Sequence, residues 1–358
     1  MRVIISAGGT GGHIYPALAI INEIKGKEPS SEFLYIGTHN RMEKDIVPPL
    51  GIPFKSIEMY GFSKHLFKNF KTASCLFKSF KECRKVIKEF NPDVVIGVGG
   101  YVTVPVIVSA KKLGYKTFLH EQNSIPGKAN KFLSKYSDMI GVSFKSSFKY
   151  LPSSKTYLVG NPCGQEALKS KRALKSTYGF SLSKKLILIV MGSLGAQGVN
   201  EFLINELKGC ASKNYEVLFI TGNKSYESVS KNSFPSNVKV IPYISGLGGV
   251  MKISDLIISR AGASTLSEIV SLRLPSILIP SPYVANNHQY YNALDLENEH
   301  ASLMIEEKNL KEGVLLSKID EILGDDDKMK NMKENLSKLA IDDSAFRIYE
   351  RLKDLCEK

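Results

Sequence analysis

The sequence has no apolar run near the roughly 20 residues that cross a bilayer. It also has no signal-peptide pattern, because a strand-like apolar segment begins at Val3. Its five cysteines are odd in number and lack any C-x-x-C spacing, which argues against a disulfide framework and a zinc site. We therefore expect a cytosolic protein with reduced, mostly structural cysteines.

Motifs for a metal-bound diphosphate or a dinucleotide are also missing. No Asp-x-Asp follows a predicted strand, since the acidic run at 325–327 lies between helix-like segments. The third glycine of a dinucleotide fingerprint would fall at Ile14, and the second predicted strand ends without an acid for a ribose hydroxyl. The sequence therefore predicts no metal and no NAD or FAD cofactor.

Acidic residues are the minority, 35 against 48 basic ones, which gives a net charge of +13. Residues 61–90 hold eight Lys or Arg and two Glu. Four phenylalanines in this segment fall at helical spacing and are each followed by a lysine: Phe67, Phe70, Phe77 and Phe80, with Lys68, Lys71, Lys78 and Lys81. The pattern is typical of an interfacial helix on an anionic membrane surface. The alternative is a helix that packs Phe inward beneath solvated lysines. No nucleic-acid-binding motif accompanies the charge.

Buried-type strands alternate with helix-length segments along the whole chain. The pattern restarts at Leu186, after the turn signal Gly160-Asn161-Pro162 and a basic polar stretch. Such alternation predicts α/β domains with parallel sheets covered on both faces. We expect a first Rossmann-like domain at 1–160 and a second at 161–342, with an amphipathic helix at 343–358 that joins the first.

A glycine-rich turn lies between the first predicted strand and helix, in the sequence Gly8-Gly9-Thr10-Gly11-Gly12-His13. The N-terminus of the following helix attracts anions, so this turn suits a phosphate- or sugar-bearing ligand. His13 lies where the chemistry would occur, and a neutral imidazole there suits a general base. The alternative is a tight structural turn with a hydrogen-bonded histidine.

Further polar clusters follow other predicted strands. Gly99-Gly100-Tyr101 and His120-Glu121-Gln122-Asn123 offer the amide and carboxylate groups that recognise sugars, or they cap loops. In the second half, the segment 259–268 joins a strand to a helix, and Glu268 can bridge two ribose hydroxyls or act as a capping-box acid. The polar loop 286–289 follows another predicted strand, and its side chains either bind the ligand or serve only as a structural loop.

Taken in order, these motifs resemble the MurG family, from residue 1 to past residue 300. The resemblance also includes Gly37 to Glu43, Gly192-Ser193, and His288-Gln289 with Asn292-Ala293. MurG proteins are bacterial N-acetylglucosaminyltransferases of the membrane-associated step of peptidoglycan synthesis. The resemblance implies a GT-B glycosyltransferase fold, with two Rossmann-like domains facing across a cleft. It also implies a peripheral protein on the cytoplasmic face of the cell membrane, with a part in cell wall biogenesis, cell shape and cell division.

By this resemblance the enzyme moves GlcNAc from UDP-GlcNAc to the muramyl C4 hydroxyl of lipid I, an undecaprenyl-diphosphate-linked muramyl-pentapeptide, and forms lipid II with inversion. His13 is the implied base. The implied donor-binding residues are Thr10, Gly11, Gly12, Asn123, Ser193, Ile244, Ala263, Ser264, Thr265, Leu266, Ser267, Glu268 and Gln289. The resemblance also implies that the glycine-rich turn faces the acceptor diphosphate. Two positions depart from the family pattern. Cys163 and Gly164 stand where an Arg is common, and Leu194 replaces a usual Gln.

Two other functions remain open from the residues. A UDP-GlcNAc 2-epimerase shares the fold and needs no lipid-facing stripe. A non-catalytic UDP-sugar-binding protein would have no use for His13 in the glycine-rich turn.

Overall fold

The computed structural model describes residues 1–59, 66–192 and 197–357, and the side chains of 66–74 and 197 are not part of that description. The chain divides into two compact units. Unit 1 comprises Met1–Cys163 and Asp343–Lys358, and unit 2 comprises Gly164–Asp342.

The strands of unit 1 are β1 Arg2–Ala7, β2 Glu32–Thr38, β3 Phe54–Ile57, β4 Val94–Gly99, β5 Lys116–Glu121, β6 Met139–Val142 and β7 Thr156–Leu158. Those of unit 2 are β8 Lys185–Val190, β9 Tyr215–Ile220, β10 Val238–Ile241, β11 Leu256–Ser259, β12 Ser276–Leu278 and β13 Leu303–Met304. Within the described residues, each unit has one sheet, and all neighbouring strands in it are parallel.

The helices are α1 Gly11–Lys27, α2 Glu43–Ile46, α3 Leu66–Phe90, α4 Thr103–Lys112, α5 Lys128–Leu133, α6 Pro162–Lys169, α7 Gln197–Glu206, α8 Asn223–Ser230, α9 Leu247–Met251, α10 Ala263–Ser271, α11 His288–Asn298, α12 Val314–Leu323, α13 Asp326–Leu339 and α14 Ser344–Glu357. In the parts of the chain that are described, no helix is long and apolar enough to span a membrane.

The central strands are continuous apolar runs because helices cover both faces of each sheet. β4 and β9 are buried along their whole length. Two apolar clusters form the core of unit 1, and one contains both α1 and α14, where Ile348 and Leu352 are fully buried. The C-terminal helix therefore packs in the core of unit 1.

Strand order sets where ligands can bind. The sheet of unit 1 runs β3-β2-β1-β4-β5-β6-β7, and that of unit 2 runs β10-β9-β8-β11-β12-β13. In each sheet the chain winds outward in opposite directions from its two central strands, β1 and β4 or β8 and β11. Parallel α/β sheets bind ligands beyond the carboxyl ends of strands at such switch points. The turns after these four strands are therefore the expected ligand-binding positions.

Two local features differ from the sequence expectation. α1 begins at Gly11 rather than at Ile14, so His13 lies in the first turn of the helix. The strands β3 and β13 were not expected from the sequence, because both are short edge strands without a long apolar run.

Candidate functional site

The turn after β1 is held by hydrogen bonds to four different parts of unit 1. The Tyr35 hydroxyl donates to the Ala7 carbonyl at 3.0 Å, and the Gly8 amide donates to the Gly99 carbonyl at 3.2 Å. His13 Nδ1 lies 3.0 Å from the Gly8 carbonyl oxygen, and the Gly9 amide donates to Glu43 Oε2 at 3.1 Å. The glycine-rich turn is thus a fixed structure.

The contact to Gly8 determines which nitrogen of His13 can act as a base. A carbonyl oxygen only accepts, so Nδ1 carries the proton and donates it. In the neutral ring the lone pair is then on Nε2. Gly99 makes room for this ring, because a Cβ at position 99 would lie 2.6 Å from His13 Cδ2 and 2.8 Å from Nε2. The half-buried His13 is therefore oriented with Nε2 as its basic atom.

Glu43 is a functional candidate for which the sequence motif Gly37 to Glu43 predicts no role. Its side chain is fully buried, and Oε1 accepts from the Thr38 amide at 2.9 Å and the Thr38 hydroxyl at 2.6 Å. Burial, and secondly the charge of Glu43, hold the pKa of Tyr35 well above its ordinary value, so the phenol stays a donor to Ala7. Lys44 and Asp45, which follow Glu43 in the sequence, are exposed, so no local pattern indicates that this acid is buried.

His120 is a structural residue by its surroundings. It is fully buried, Nε2 donates to the Gly160 carbonyl at 2.9 Å, and the Gln122 side-chain amide donates to Nδ1 at 2.9 Å. Burial lowers the pKa of His120 to about 4, so the ring is neutral at physiological pH. The same Gln122 amide donates to the Val98 carbonyl at 2.7 Å and links β5 to the end of β4.

Glu121 organises the loop that follows β5. Its Oε1 accepts from the Asn123 amide and Nδ2, at 2.9 and 3.0 Å, and its Oε2 accepts from Gly127 N and Asn130 Nδ2. The loop-capping interpretation therefore describes His120, Glu121 and Gln122. Asn123 is the member of this cluster that is only half-buried, and its proposed contact with the donor stays a prediction.

In unit 2, the turn Arg260-Ala261-Gly262 leads from β11 into α10. Ser264 Oγ is buried and has no hydrogen-bond partner among the described residues. One turn further, the half-buried Glu268 carboxyl pairs with no described side chain, and burial raises its pKa to about 7. The capping-box interpretation does not fit Glu268, since no side chain caps α10. An unpartnered acceptor beside a helix N-terminus is suited to a ligand with hydroxyl and phosphate groups.

Neighbouring turns of unit 2 bring further polar groups to the same sheet edge. Gln289 Oε1 accepts from the Ser281 amide at 2.8 Å, which fixes the side chain near the start of α11. Asn292 Nδ2 donates to the Ala261 carbonyl at 3.2 Å and joins α11 to the turn before α10. Ile244 lies half-buried beyond the end of β10.

Arg260 braces this edge of unit 2. Its guanidinium donates to the Ile279 carbonyl at 3.0 Å and lies 2.8 Å from Glu307 Oε2. The pair links the ends of β11 and β12 with the 3-10 turn Glu307–Asn309. It holds in place the loops that carry the candidate donor residues.

Some predicted positions are not brought into a site. Ser193 and Leu194 lie outside the described residues, as do the side chains of Phe67, Lys68, Phe70 and Lys71. In α3, Phe77 is 81% exposed and Lys78 and Lys81 are exposed. Phe80 is half-buried and packs against the core of unit 1, which removes it from the predicted membrane row. At about 100° per residue, position 80 lies roughly 140° from position 67 around the helix.

Among the described residues, no group of three His, Cys, Asp or Glu could hold a metal ion.

Comparison with known proteins defines the class. Residues 3–142 match the profile of the glycosyltransferase family 28 N-terminal domain, and residues 186–348 match that of the C-terminal domain. With its two Rossmann-like units, the chain is a glycosyltransferase of the GT-B fold. It is 46% identical over 368 residues to the Bacillus cytotoxicus UDP-N-acetylglucosamine--N-acetylmuramyl-(pentapeptide) pyrophosphoryl-undecaprenol N-acetylglucosamine transferase, with all of both chains covered. A Bacillus licheniformis protein of the same name is 44% identical over 99% of each chain. The chain belongs to this transferase family, the MurG family.

Solved structures agree with the fold. Acinetobacter baumannii MurG superposes with a TM-score of 0.81 at 24% identity, covering 99% of each chain. The Neisseria meningitidis UDP-GlcNAc 2-epimerase, solved with UDP-GlcNAc bound, gives a TM-score of 0.70 at 14% identity, covering 99% of this chain and all of the epimerase. At these identities the likeness shows the fold alone.

Proposed function

We propose that this enzyme transfers GlcNAc from UDP-GlcNAc to the muramyl C4 hydroxyl of lipid I and releases lipid II and UDP. The observation that carries the proposal is 46% identity over the full length to a transferase named for this reaction. The histidine in the glycine-rich turn supports it, because its ring is held with a basic nitrogen available.

UDP-GlcNAc binds to unit 2 in this proposal. The Glu268 carboxylate accepts from the two ribose hydroxyls, a role that suits an acceptor without a partner among the described side chains. The N-terminus of α10 and Ser264 face the negative charge of the diphosphate and its sugar. The Gln289 amide and the backbone near Ile244 complete donor recognition, together with Ala263, Thr265, Leu266 and Ser267.

Lipid I is the substrate of unit 1. The first-turn amides of α1 at Gly11 and Gly12 face its diphosphate, since the first amides of a helix lack intrahelical partners. Nε2 of His13 takes the proton from the C4 hydroxyl as the oxygen attacks the anomeric carbon. The bond from that carbon to the UDP oxygen breaks on the opposite face, and UDP leaves with the electron pair. Direct displacement of this kind inverts the anomeric configuration.

We further propose that α3 rests on the anionic cytoplasmic face of the cell membrane. Phe77 is the most exposed phenylalanine whose side chain is described, and it is flanked by exposed Lys78 and Lys81. A solvent-facing aromatic ring beside lysines is the chemistry of an interfacial helix. A membrane position gives the enzyme access to a lipid-linked acceptor.

One incubation separates transfer from epimerisation. The enzyme is supplied with UDP-GlcNAc alone, and the nucleotide sugars are separated by chromatography. Under the proposal UDP-GlcNAc is returned unchanged, whereas an epimerase would produce UDP-ManNAc. A protein that only binds the nucleotide sugar would also leave it unchanged, but it would stay inactive when a lipid I analogue is added.

Liposome sedimentation tests the membrane contact. Phe77→Ser should weaken binding to vesicles that contain anionic lipid, because it removes the exposed aromatic ring. Leu182→Ser is the matched control, since Leu182 is 84% exposed on unit 2. Equal binding by Phe77→Ser and the wild type would contradict the contact.

A further inference from the structure

We propose that Glu43 is a positioning residue for His13 and acts through the peptide group that joins Gly8 to Gly9. The inference rests on the proposed role of His13 as the base. It adds a buried carboxylate, distant in sequence, to the groups on which the reaction depends.

The two contacts involved belong to one planar peptide group. The Gly8 carbonyl accepts the Nδ1 proton of His13 at 3.0 Å. The Gly9 amide, on the other side of the same peptide bond, donates to Glu43 Oε2 at 3.1 Å. Because C=O and N–H of a trans peptide point in opposite directions, the bond to Glu43 sets the direction of the carbonyl that orients His13.

This peptide needs such a restraint. It lies between two glycines, and Gly9 has φ +93°, in the region that favours glycine. A peptide between glycines can reorient at low steric cost. The preceding peptide is held independently, because the Tyr35 hydroxyl donates to the Ala7 carbonyl and the Gly8 amide donates to the Gly99 carbonyl.

Glu43 is itself firmly placed. The Thr38 amide and hydroxyl hold Oε1 and leave Oε2 for Gly9. Gly8 and Gly37 leave room for the Glu43 side chain because they have no Cβ. A Cβ at Gly8 would lie 2.6 Å from Glu43 Oε1, and a Cβ at Gly37 would lie 2.7 Å from Glu43 Cγ. Among the described residues no Lys or Arg forms an ion pair with Glu43, so its charge faces neutral donors, including this peptide.

The arrangement has a chemical consequence beyond geometry. A carboxylate that accepts from the Gly9 amide polarises the peptide and makes the Gly8 oxygen a stronger acceptor for the His13 proton. In serine-protease triads a carboxylate holds the catalytic histidine in one tautomer and stabilises its protonated form. Here a peptide group lies between carboxylate and imidazole and transmits the same effect.

The test compares Glu43→Gln with a matched control. Gln has nearly the same volume as Glu. In either orientation of its side-chain amide, the NH₂ group faces an N–H donor, from Gly9 or from Thr38, so one of these hydrogen bonds is lost. Tyr35→Phe removes a buried hydrogen bond to the neighbouring peptide and leaves the Gly8–Gly9 peptide untouched. We expect Glu43→Gln to lower kcat about 10–100-fold, by analogy with the loss of a hydrogen-bond partner that orients a metal-ligating histidine. KM for UDP-GlcNAc should change little, and Tyr35→Phe should lower kcat less than Glu43→Gln does, because the Gly8–Gly9 peptide keeps its hydrogen bond to Glu43.

A double-mutant cycle distinguishes this inference from the proposed function. If Glu43 acts through His13, Glu43→Gln should cause no further loss of kcat in a His13→Ala background. An equal fold-loss in both backgrounds would overturn the inference and leave His13 as the base. Near-normal kcat in His13→Ala alone would overturn the proposed base itself.

The imidazole tautomer gives a readout that does not depend on turnover. In ¹⁵N-labelled protein, the signal of His13 is assigned among the six histidines by its loss in His13→Ala. We expect the Nδ1–H tautomer in the wild type and in Tyr35→Phe, and a mixture in Glu43→Gln. If Glu43→Gln does not fold, Glu43→Asp serves, because its carboxylate is one methylene too short to reach both Thr38 and Gly9. An unmixed Nδ1–H tautomer in the folded variant would overturn the inference.

Discussion

Replacing Glu268 by Gln should stabilise the ligand-free enzyme and weaken its binding of UDP. The Glu268 carboxyl is half-buried, and burial raises its pKa from 4.5 to about 7. A neutral amide of the same shape avoids the cost of ionising this group in the fold. The Gln amide also lacks the negative charge that strengthens hydrogen bonds from the two ribose hydroxyls.

The sign and size of the stability change follow from the pKa. The folded state holds the Glu268 proton more tightly than the unfolded state, so stability falls as the pH rises from about 4.5 to about 7. At about 1.4 kcal/mol for each pKa unit, ionising Glu268 above that range costs at most about 3.5 kcal/mol of stability. For a domain the size of unit 2, each kcal/mol of stability shifts the melting temperature by about 2–4 °C. Glu268→Gln should therefore melt up to about 14 °C higher at pH near 8.

Calorimetry measures both effects. The melting difference between Glu268→Gln and the wild type should be present near pH 8 and absent below about pH 4, where Glu268 is protonated in both the folded and the unfolded state. Titration with UDP near pH 8 should show binding about 10–100-fold weaker in the variant, from loss of hydrogen bonds to a charged acceptor. Wild-type affinity should fall as the pH drops below about 7, and the affinity of Glu268→Gln should not. Unchanged melting and unchanged UDP affinity near pH 8 would refute both the buried charge and its contact with the ribose.

Two further predictions concern His13. His13→Ala should lower kcat about 10²–10⁴-fold in a transfer assay, the usual contribution of general acid–base catalysis, with little change in KM for UDP-GlcNAc; a near-normal rate would remove His13 from that role. Gly99→Ala should lower kcat as well, because its Cβ would lie 2.6 Å from His13 Cδ2. Gly114→Ala is its control, since Gly114 also has a positive φ of +86° but no atom within 4 Å of the added Cβ. If both variants lost kcat equally, the loss in Gly99→Ala would be due to backbone strain and not to contact with His13.

Much of the fold can be predicted from sequence because the physical signals are local. Continuous apolar runs such as Leu186 to Met191 mark buried parallel strands, and glycine-rich turns mark the strand ends where ligands bind. The pattern predicts two α/β domains, and the GT-B class was implied by the resemblance of the ordered motifs to the MurG family. The edge strand β3 was not predicted, because its four residues include a lysine and a serine and form no continuous apolar run.

The candidate site was less predictable where contacts are distant in sequence. Glu43 lies 34 positions from Gly9, and no local pattern indicates which buried acid accepts from which amide. His120 and Glu121 carry the residue types of a sugar site, yet their partners are backbone and amide groups of unit 1. The face of α3 on which each phenylalanine lies was also not predictable, because their spacing in the sequence does not show that Phe80 packs against the core.

The product formed from UDP-GlcNAc and a lipid I analogue tests the central claim most directly. Mass spectrometry and NMR of that product should show one added N-acetylhexosamine, joined to the muramyl C4 oxygen with inverted anomeric configuration, and an equal amount of released UDP. Formation of UDP-ManNAc, retention of configuration, or the absence of any glycosylated acceptor would contradict the account.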